Sequence, residues 1–362
     1  MAGRFAPRHP MRTTVRGGHL GVPAQRPGTG PAAGGTDPAT GGTGPATAPA
    51  PRRAPVAPRP RALTRRWTPP WPLDLGLVMG PLRRGGGDPT FRALPDGSIW
   101  RGTFTPAGPG TLRVAVSGGD VEAVAWGPGA TWLLDRLPDL LGAADDPSAF
   151  TPRHRLVAQA RHRRPGLRLT RTGLVLESLI PTVLEQKVTT QEAYRAWRRL
   201  VRGYGEPAPG PAPDRLHVMP SPRTWALIPS WDWHRAGVDQ KRSSTILRAV
   251  RVARRMEEAV RLPPPEARAR LELVPGIGPW TSAETVQRSH GAPDEVTVGD
   301  LHLPGIVGYA LNGDRNADDD EMLRLLEPYA GQRHRAARLI LLSGTAPARR
   351  APRMSRTDIG LL

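Results

Sequence analysis

Apolar and polar positions change their pattern twice along this chain. Residues 1–66 hold no periodic apolar signal, and the segment is predicted to be a disordered tail. From 67 to 150, short alternating runs are separated by turn residues. Leu112, Val114 and Val116 alternate with Thr111, Arg113 and Ala115, which predicts a strand with one buried face. Gly118-Gly119-Asp120 suits a tight hairpin turn after it. Leu133, Leu134, Leu137, Leu140 and Leu141 then recur every three or four residues. The region is therefore predicted to be a small antiparallel sheet with a helix.

Past residue 150 the strand signal fades, and an all-helical region is predicted over 151–348, with a flexible tail at 349–362. Helices are expected over 174–186 and 189–203, the second capped by Thr189 or Thr190. The proline-rich stretch 207–213 is a loop, and Ser221-Pro222 starts a further helix. Residues 240–262 read as one basic amphipathic helix, its arginines forming a solvated face. Another helix is expected over 279–291, and Asp318 to Glu321 place acids at the start of a later one. The fold class is α+β, with an antiparallel N-terminal domain followed by a mostly helical core.

Composition narrows the partners. The net charge is +19, which suits a polyanion, although only two of the 51 basic residues are lysine, Lys187 and Lys241. That arginine excess, with 43 prolines and 41 glycines, is also what a GC-rich genome produces. The tail alone has eleven arginines against one acid, Asp37. With no cysteine, disulfides, thiolate zinc sites and cysteine-ligated iron–sulfur clusters are excluded. No apolar run approaches the ~20 residues of a membrane span. A bacterial cytoplasmic protein is expected.

The chemistry lies in two stretches. In VPGIGPW, Gly276 and Gly278 permit a tight reversal between two helices, with Ile277 plugging the seam between them. Pro279 fits the first turn of the next helix, where its missing N–H costs nothing. Bare backbone N–H groups at such a hairpin bind a phosphate. The second stretch is VGDLHLPG, where Asp300 follows the hairpin. Alone, Asp300 reads equally as a turn or helix-capping residue. Residues 314–319 loosely suggest a calcium loop, but Asp319 stands where glycine is required, so no metal site is expected.

Together, PGIGPWT and VGDLHLP resemble the helix–hairpin–helix DNA glycosylase superfamily, and most closely its DNA-3-methyladenine glycosylase II group. ESLIPTVLEQKVTTQEA (177–193) and MPSPRTWALIPSWDWHRAGVDQKRSSTILRAV (219–250) are similar to two further segments of that group. The likeness covers residues from about 70 to 345, including the antiparallel N-terminal domain. It implies duplex DNA with a damaged base as partner, base flipping, and a monomer without cofactor, apart from a monovalent cation that hairpin carbonyls can hold.

The resemblance implies that Asp300 is the catalytic aspartate and that Gly276, Ile277, Gly278, Trp280 and Thr281 contact DNA. Gln186 and Lys187 match the loop that fills the gap left by the flipped nucleotide. Trp280 occupies the position of the lyases' Schiff-base lysine, which implies hydrolysis without strand cleavage. It either stacks on a cationic base or packs between helices. The chain departs from the pattern at Glu185, at Lys187 and at Gln332, where the family often has a pocket tryptophan. Tyr309 or Tyr329 would have to supply that wall. The alternatives are a DNA-damage-binding module of weak activity and a glycosylase for another lesion, such as deaminated bases.

Overall fold

Five antiparallel strands open the described part of the chain: β1 (Leu63–Trp67), β2 (Phe91–Ala93), β3 (Ile99–Thr105), β4 (Gly108–Ser117) and β5 (Asp120–Trp126). Their order in the sheet is β1-β5-β4-β3-β2. The computed structural model describes residues 61–348, so most of the predicted N-terminal tail and the whole C-terminal one lie outside the described residues. One boundary moves. Residues 63–66, assigned to the tail for their arginines, form strand β1, because Leu63↔Ala125 and Arg65↔Ala123 pair along β5. The turn Gly118-Gly119 joins β4 to β5 with φ of +60° and +92°, the doubly left-handed geometry that glycine supplies.

The alternation in β4 works as expected for two of its three positions. Leu112 and Val114 are buried, whereas Val116, near the hairpin tip, is 38% exposed. The sheet packs on α1 (Leu75–Met79), α2 (Ala130–Asp135) and α3 (Leu137–Leu140), and all five periodic leucines are buried there. Pro138 starts α3 and divides what the periodicity presents as a single helix.

The helical part runs α4 (Arg155–His162), α5 (Val175–Leu184), α6 (Thr190–Tyr204), α7 (Pro222–Ala226), α8 (Ser230–Arg235), α9 (Gln240–Arg251), α10 (Ala253–Glu258), α11 (Pro264–Glu272), α12 (Pro279–Ser289), α13 (Leu303–Asn312), α14 (Asp319–Leu326) and α15 (Arg333–Ser343). It is not wholly helical. A two-stranded ribbon, β6 (Glu206–Pro207) with β7 (His217–Val218), flanks the proline loop. Gly102 of β3 makes room for it: a Cβ there would lie 2.2 Å from the His217 carbonyl oxygen. Thr189 caps α6 in a reciprocal capping box with Glu192.

Two apolar clusters build this part. One joins α5, α6, α9, α11 and α12; the other joins α4, α13, α14 and α15. The helix expected over 240–262 breaks at Val252, between α9 and α10. The break re-aims α10 so that Glu257 accepts the N–H groups of Val175 and Leu176, at 2.8 and 2.9 Å, the unpaired donors at the start of α5. Five of the six arginines of this stretch form the expected solvated face, and one departs from it. Arg242 is buried and donates to the Leu184 and Gly237 carbonyls.

Candidate active site

The hairpin between α11 and α12 is built from the inside out. Ala267 and Leu271 of α11 and Val286 of α12 are buried in one cluster, and Ile277, 5% exposed, joins them. The two glycines serve different ends. Gly276 has φ of +101°, and a Cβ there would meet Thr245 Oγ1 at 2.1 Å. Gly278 is extended (φ −109°, ψ −177°), a conformation open to any residue, and a Cβ there would meet nothing within 4 Å. The reversal therefore depends on Gly276, while Gly278 keeps the outward face clear.

The Ile277 N–H is committed to the Val274 carbonyl at 3.0 Å. Among the described residues the N–H groups of Gly276 and Gly278 make no intramolecular hydrogen bond, and α12 has no side-chain cap. Donors at a helix N-terminus left in this way suit an anion. Arg248 of α9 donates to the Pro275 carbonyl at 3.2 Å and is exposed beside the hairpin. Lys241, two helical turns earlier on the same helix, is exposed as well.

Gln186 and Thr281 are tied to each other. Gln186 Nε2 donates to the Gly276 carbonyl at 3.0 Å and to Thr281 Oγ1 at 2.8 Å, and Thr281 is 2% exposed. Both expected DNA contacts thus brace the hairpin against the end of α5. Arg248 and Gln186 each donate to a carbonyl of the turn, at Pro275 and at Gly276. Glu185, the acid in the loop expected to meet DNA, turns inward to Arg84 at 3.1 Å. Burial opposes charge on Arg288, but the Glu284 and Glu185 carboxylates outweigh it and hold that guanidinium above its ordinary pKa.

Lys187 is exposed and left-handed, with φ of 54°, a conformation costly for a side chain with Cβ. Lys187→Gly is expected to stabilise the fold by about 1 kcal/mol while weakening DNA binding and its salt dependence. Thermal melting and a salt titration of binding check this; an unchanged salt slope would exclude Lys187 from the phosphate contacts.

Asp300 lies in the loop before α13. Gly299, at φ of +87°, turns the chain, and its N–H is held by the Asp319 carboxylate at 3.0 and 3.1 Å. Asp300 Oδ1 accepts the N–H groups of His302 and Leu303, each at 2.8 Å. Its Oδ2 accepts the Trp280 indole N–H at 3.0 Å. The helix-capping and site readings of Asp300 are therefore compatible: one oxygen caps α13, and the other meets the residue that follows the hairpin. Trp280 is half-buried, held by Asp300.

A cavity of about 190 Å³ opens beside Asp300, at the seam between the two helical clusters. Glu284 of α12, Thr297, Ile306 of α13, and His334 and Arg338 of α15 line it with Asp300. Trp280 and Tyr309, expected at the pocket wall, do not line it. The indole is turned to Asp300, and Tyr309 is 40% exposed. Tyr329 is buried elsewhere, its hydroxyl held by the His154 N–H (3.1 Å) and Nδ1 (2.7 Å). Gln332 stands at the residue before α15 without a side-chain cap, and its Oε1 accepts from Arg335 at 2.7 Å. Sequence reasoning missed Glu284, His334 and Arg338. Glu284 had a signal, since it sits one turn after Trp280 on the same helix. Burial, then Arg338, Arg288 and Arg335, push the His334 pKa well down, so its ring is neutral.

No family model matches the chain. Over 145 residues, 39% of this chain, it is 32% identical to a Mycobacterium tuberculosis protein described as a probable bifunctional transcriptional activator/DNA repair enzyme AlkA. The match spans 28% of that relative's length. Among solved structures, the Archaeoglobus fulgidus 3-methyladenine DNA glycosylase is similar with a TM-score of 0.63 and 14% identity, covering 77% of this chain and 98% of that one. The Clostridium acetobutylicum 8-oxoguanine glycosylase/lyase, bound to double-stranded DNA, gives a TM-score of 0.60 and 13% identity, covering 75% and 91%. The chain thus has the fold of these DNA glycosylases. Among the described residues, no helix is long and apolar enough to cross a membrane.

Proposed function

We propose that this protein is a monofunctional DNA glycosylase that acts as a monomer on duplex DNA and hydrolyses the N-glycosidic bond of damaged, chiefly alkylated, purines. The observation that carries the reading is Asp300, held by three donors beside a cavity and one residue contact away from an outward-open hairpin. The bare hairpin N–H groups, with Lys187, Lys241 and Arg248, engage phosphates and read no sequence. The damaged nucleotide swings out, because its glycosidic bond is shielded inside the stack. As the C1′–N bond breaks, its electron pair leaves with the base, and the Asp300 carboxylate stabilises the positive charge left on the sugar. Water adds to C1′ and gives its proton to Asp300. The products are a free base and an abasic site.

An alkylated purine is cationic before cleavage and neutral after it, so its departure needs no protein acid. The strand stays intact, because the Trp280 indole cannot form a Schiff base. Support for alkylated purines comes from the AlkA-named relative and the archaeal 3-methyladenine enzyme. The test is base release from methylated duplex DNA, with alkali added separately. Release by the parent protein, with breaks only after alkali, is expected. Tight binding without release would leave a recognition module in place of an enzyme. Trp280→Phe removes the N–H that orients Asp300, and a hydrogen bond to a charged group is worth about 1.5–3 kcal/mol. The expected result is a lower kcat with little change in KM; an unchanged kcat would remove Trp280 from this positioning role.

A further inference from the structure

Three consecutive glycines stand beside the loop of Glu185, Gln186 and Lys187. They belong to the stretch Arg83-Arg84-Gly85-Gly86-Gly87-Asp88, between α1 and β2. Gly85 and Gly87 are left-handed, with φ of +76° and +75°, and Gly86 between them is not. Such a change of hand between neighbours turns successive N–H groups to one side and makes an anion-binding hollow. The three carbonyls are taken. Gly85 accepts from Arg83 at 3.1 Å, Gly86 from Arg198 at 3.5 Å and Gly87 from Arg202 at 3.3 Å. The three N–H groups make no hydrogen bond among the described residues.

Charge points to the same ligand. Arg83, Arg198 and Arg202 donate only to these carbonyls, and none makes an ion pair among the described residues. Arg92 lies close to them: burial lowers its pKa most, and Arg202 and Arg83 lower it further, opposed by Asp88. Asp88 itself is fully buried, held by the Arg84 N–H at 2.6 Å and the Trp197 indole at 3.0 Å. Arg83, Gly86, Gly87 and Arg202 are exposed. Clustered cations beside free N–H donors attract a polyanion. Position names the strand it belongs to. Arg84 of this stretch pairs with Glu185, whereas Gln186 donates to Gly276 and Thr281 at the hairpin. The loop that carries Lys187 is thus gripped from two sides. A duplex with that loop in its gap presents the damaged strand to the hairpin and the opposite strand to the other flank.

We propose that Gly85, Gly86 and Gly87, with Arg83 and Arg202, bind backbone phosphates of the undamaged strand. This rests on the glycosylase reading and on the gap-filling loop that the resemblance implies. Phosphate contacts on both strands hold the duplex in register while one nucleotide swings out.

The experiment follows binding of the whole chain, across a salt series, to a duplex with one abasic site and to the same damaged strand alone. The parent is compared with the double variant Arg83→Gln, Arg202→Gln. On the duplex, the variant's plot of log affinity against log salt is expected to be shallower by about one to two, near one for each lost phosphate contact. On the single strand the two slopes should coincide. Arg83→Lys with Arg202→Lys keeps the charge and is expected to restore the duplex slope. Equal duplex slopes for parent and glutamine variant overturn the site. An equal loss on duplex and single strand overturns its assignment to the undamaged strand. Base release from methylated duplex by the parent is measured apart; its absence overturns the glycosylase reading and leaves the slopes to decide the phosphate site. Melting temperatures verify folding. Should the glutamine variant unfold, Gly86→Ala takes its place, because a Cβ there meets nothing within 4 Å. Its methyl crowds the hollow and is expected to weaken duplex binding alone; unchanged duplex binding overturns the site.

Discussion

Asp300→Asn is expected to lower base release by about 10²–10⁴-fold, the range of a positioned acid–base group. The substitution keeps the shape of the side chain, and its amide oxygen can still accept the N–H groups of His302 and Leu303, so α13 stays capped. The loss is of charge and of basicity. An amide cannot take the proton of the attacking water, and it stabilises a cationic sugar far less than a carboxylate does. Its NH₂ group also confronts the Trp280 indole N–H, donor against donor, where Oδ2 accepted before. DNA binding is expected to persist, because the hairpin and the basic side chains around it are untouched. Single-turnover base release and a binding titration on the same DNA separate the two effects. A variant that releases base at the parental rate would remove Asp300 from the chemistry.

The second large effect concerns the hairpin glycines, which sequence treats alike and the structure does not. Gly276→Ala is expected to destabilise the protein by about 1–3 kcal/mol from backbone strain alone. A further loss follows from Thr245, whose Oγ1, Cγ2 and Cβ would all lie within 3.1 Å of the new methyl. Rotating Thr245 away gains little, because its hydroxyl donates to the Lys241 carbonyl at 2.9 Å. Displacing the turn also moves the Gly276 carbonyl that Gln186 holds, so DNA affinity should fall with stability. Gly278→Ala, extended and unobstructed, should melt with the parent protein and still bind DNA more weakly, because its methyl stands on the outward face. Thermal melting and DNA binding of both variants decide the matter. Equal melting temperatures for the two would contradict these distinct roles.

Much of the fold was legible because its signals are local. The Gly118-Gly119 hairpin, the Thr189 capping box and Asp318 at the start of α14 each depend on a few adjacent residues. The break at Val252 was not legible, because it is enforced by α10 meeting the start of α5, about eighty residues away in sequence. Strand β1 was hidden by its arginines, which pairing with β5 tolerates at an edge of the sheet.

The site divides along the same line. Sequence alone determined the hairpin, its reversal at glycine, the buried Ile277 and the presence of an aspartate downstream, because periodicity and backbone freedom are properties of short segments. Only the tertiary structure decided which oxygen of Asp300 faces Trp280, that Gln186 and Thr281 brace the hairpin, and that Glu185 turns to Arg84. It also decided that Glu284, His334 and Arg338 stand in the cavity wall, with no Phe, Tyr or Trp among its lining residues. Those groups come from α12, the loop before α13, and α15. They are brought together by the packing of two apolar clusters, an outcome of the whole chain's burial that no single segment encodes.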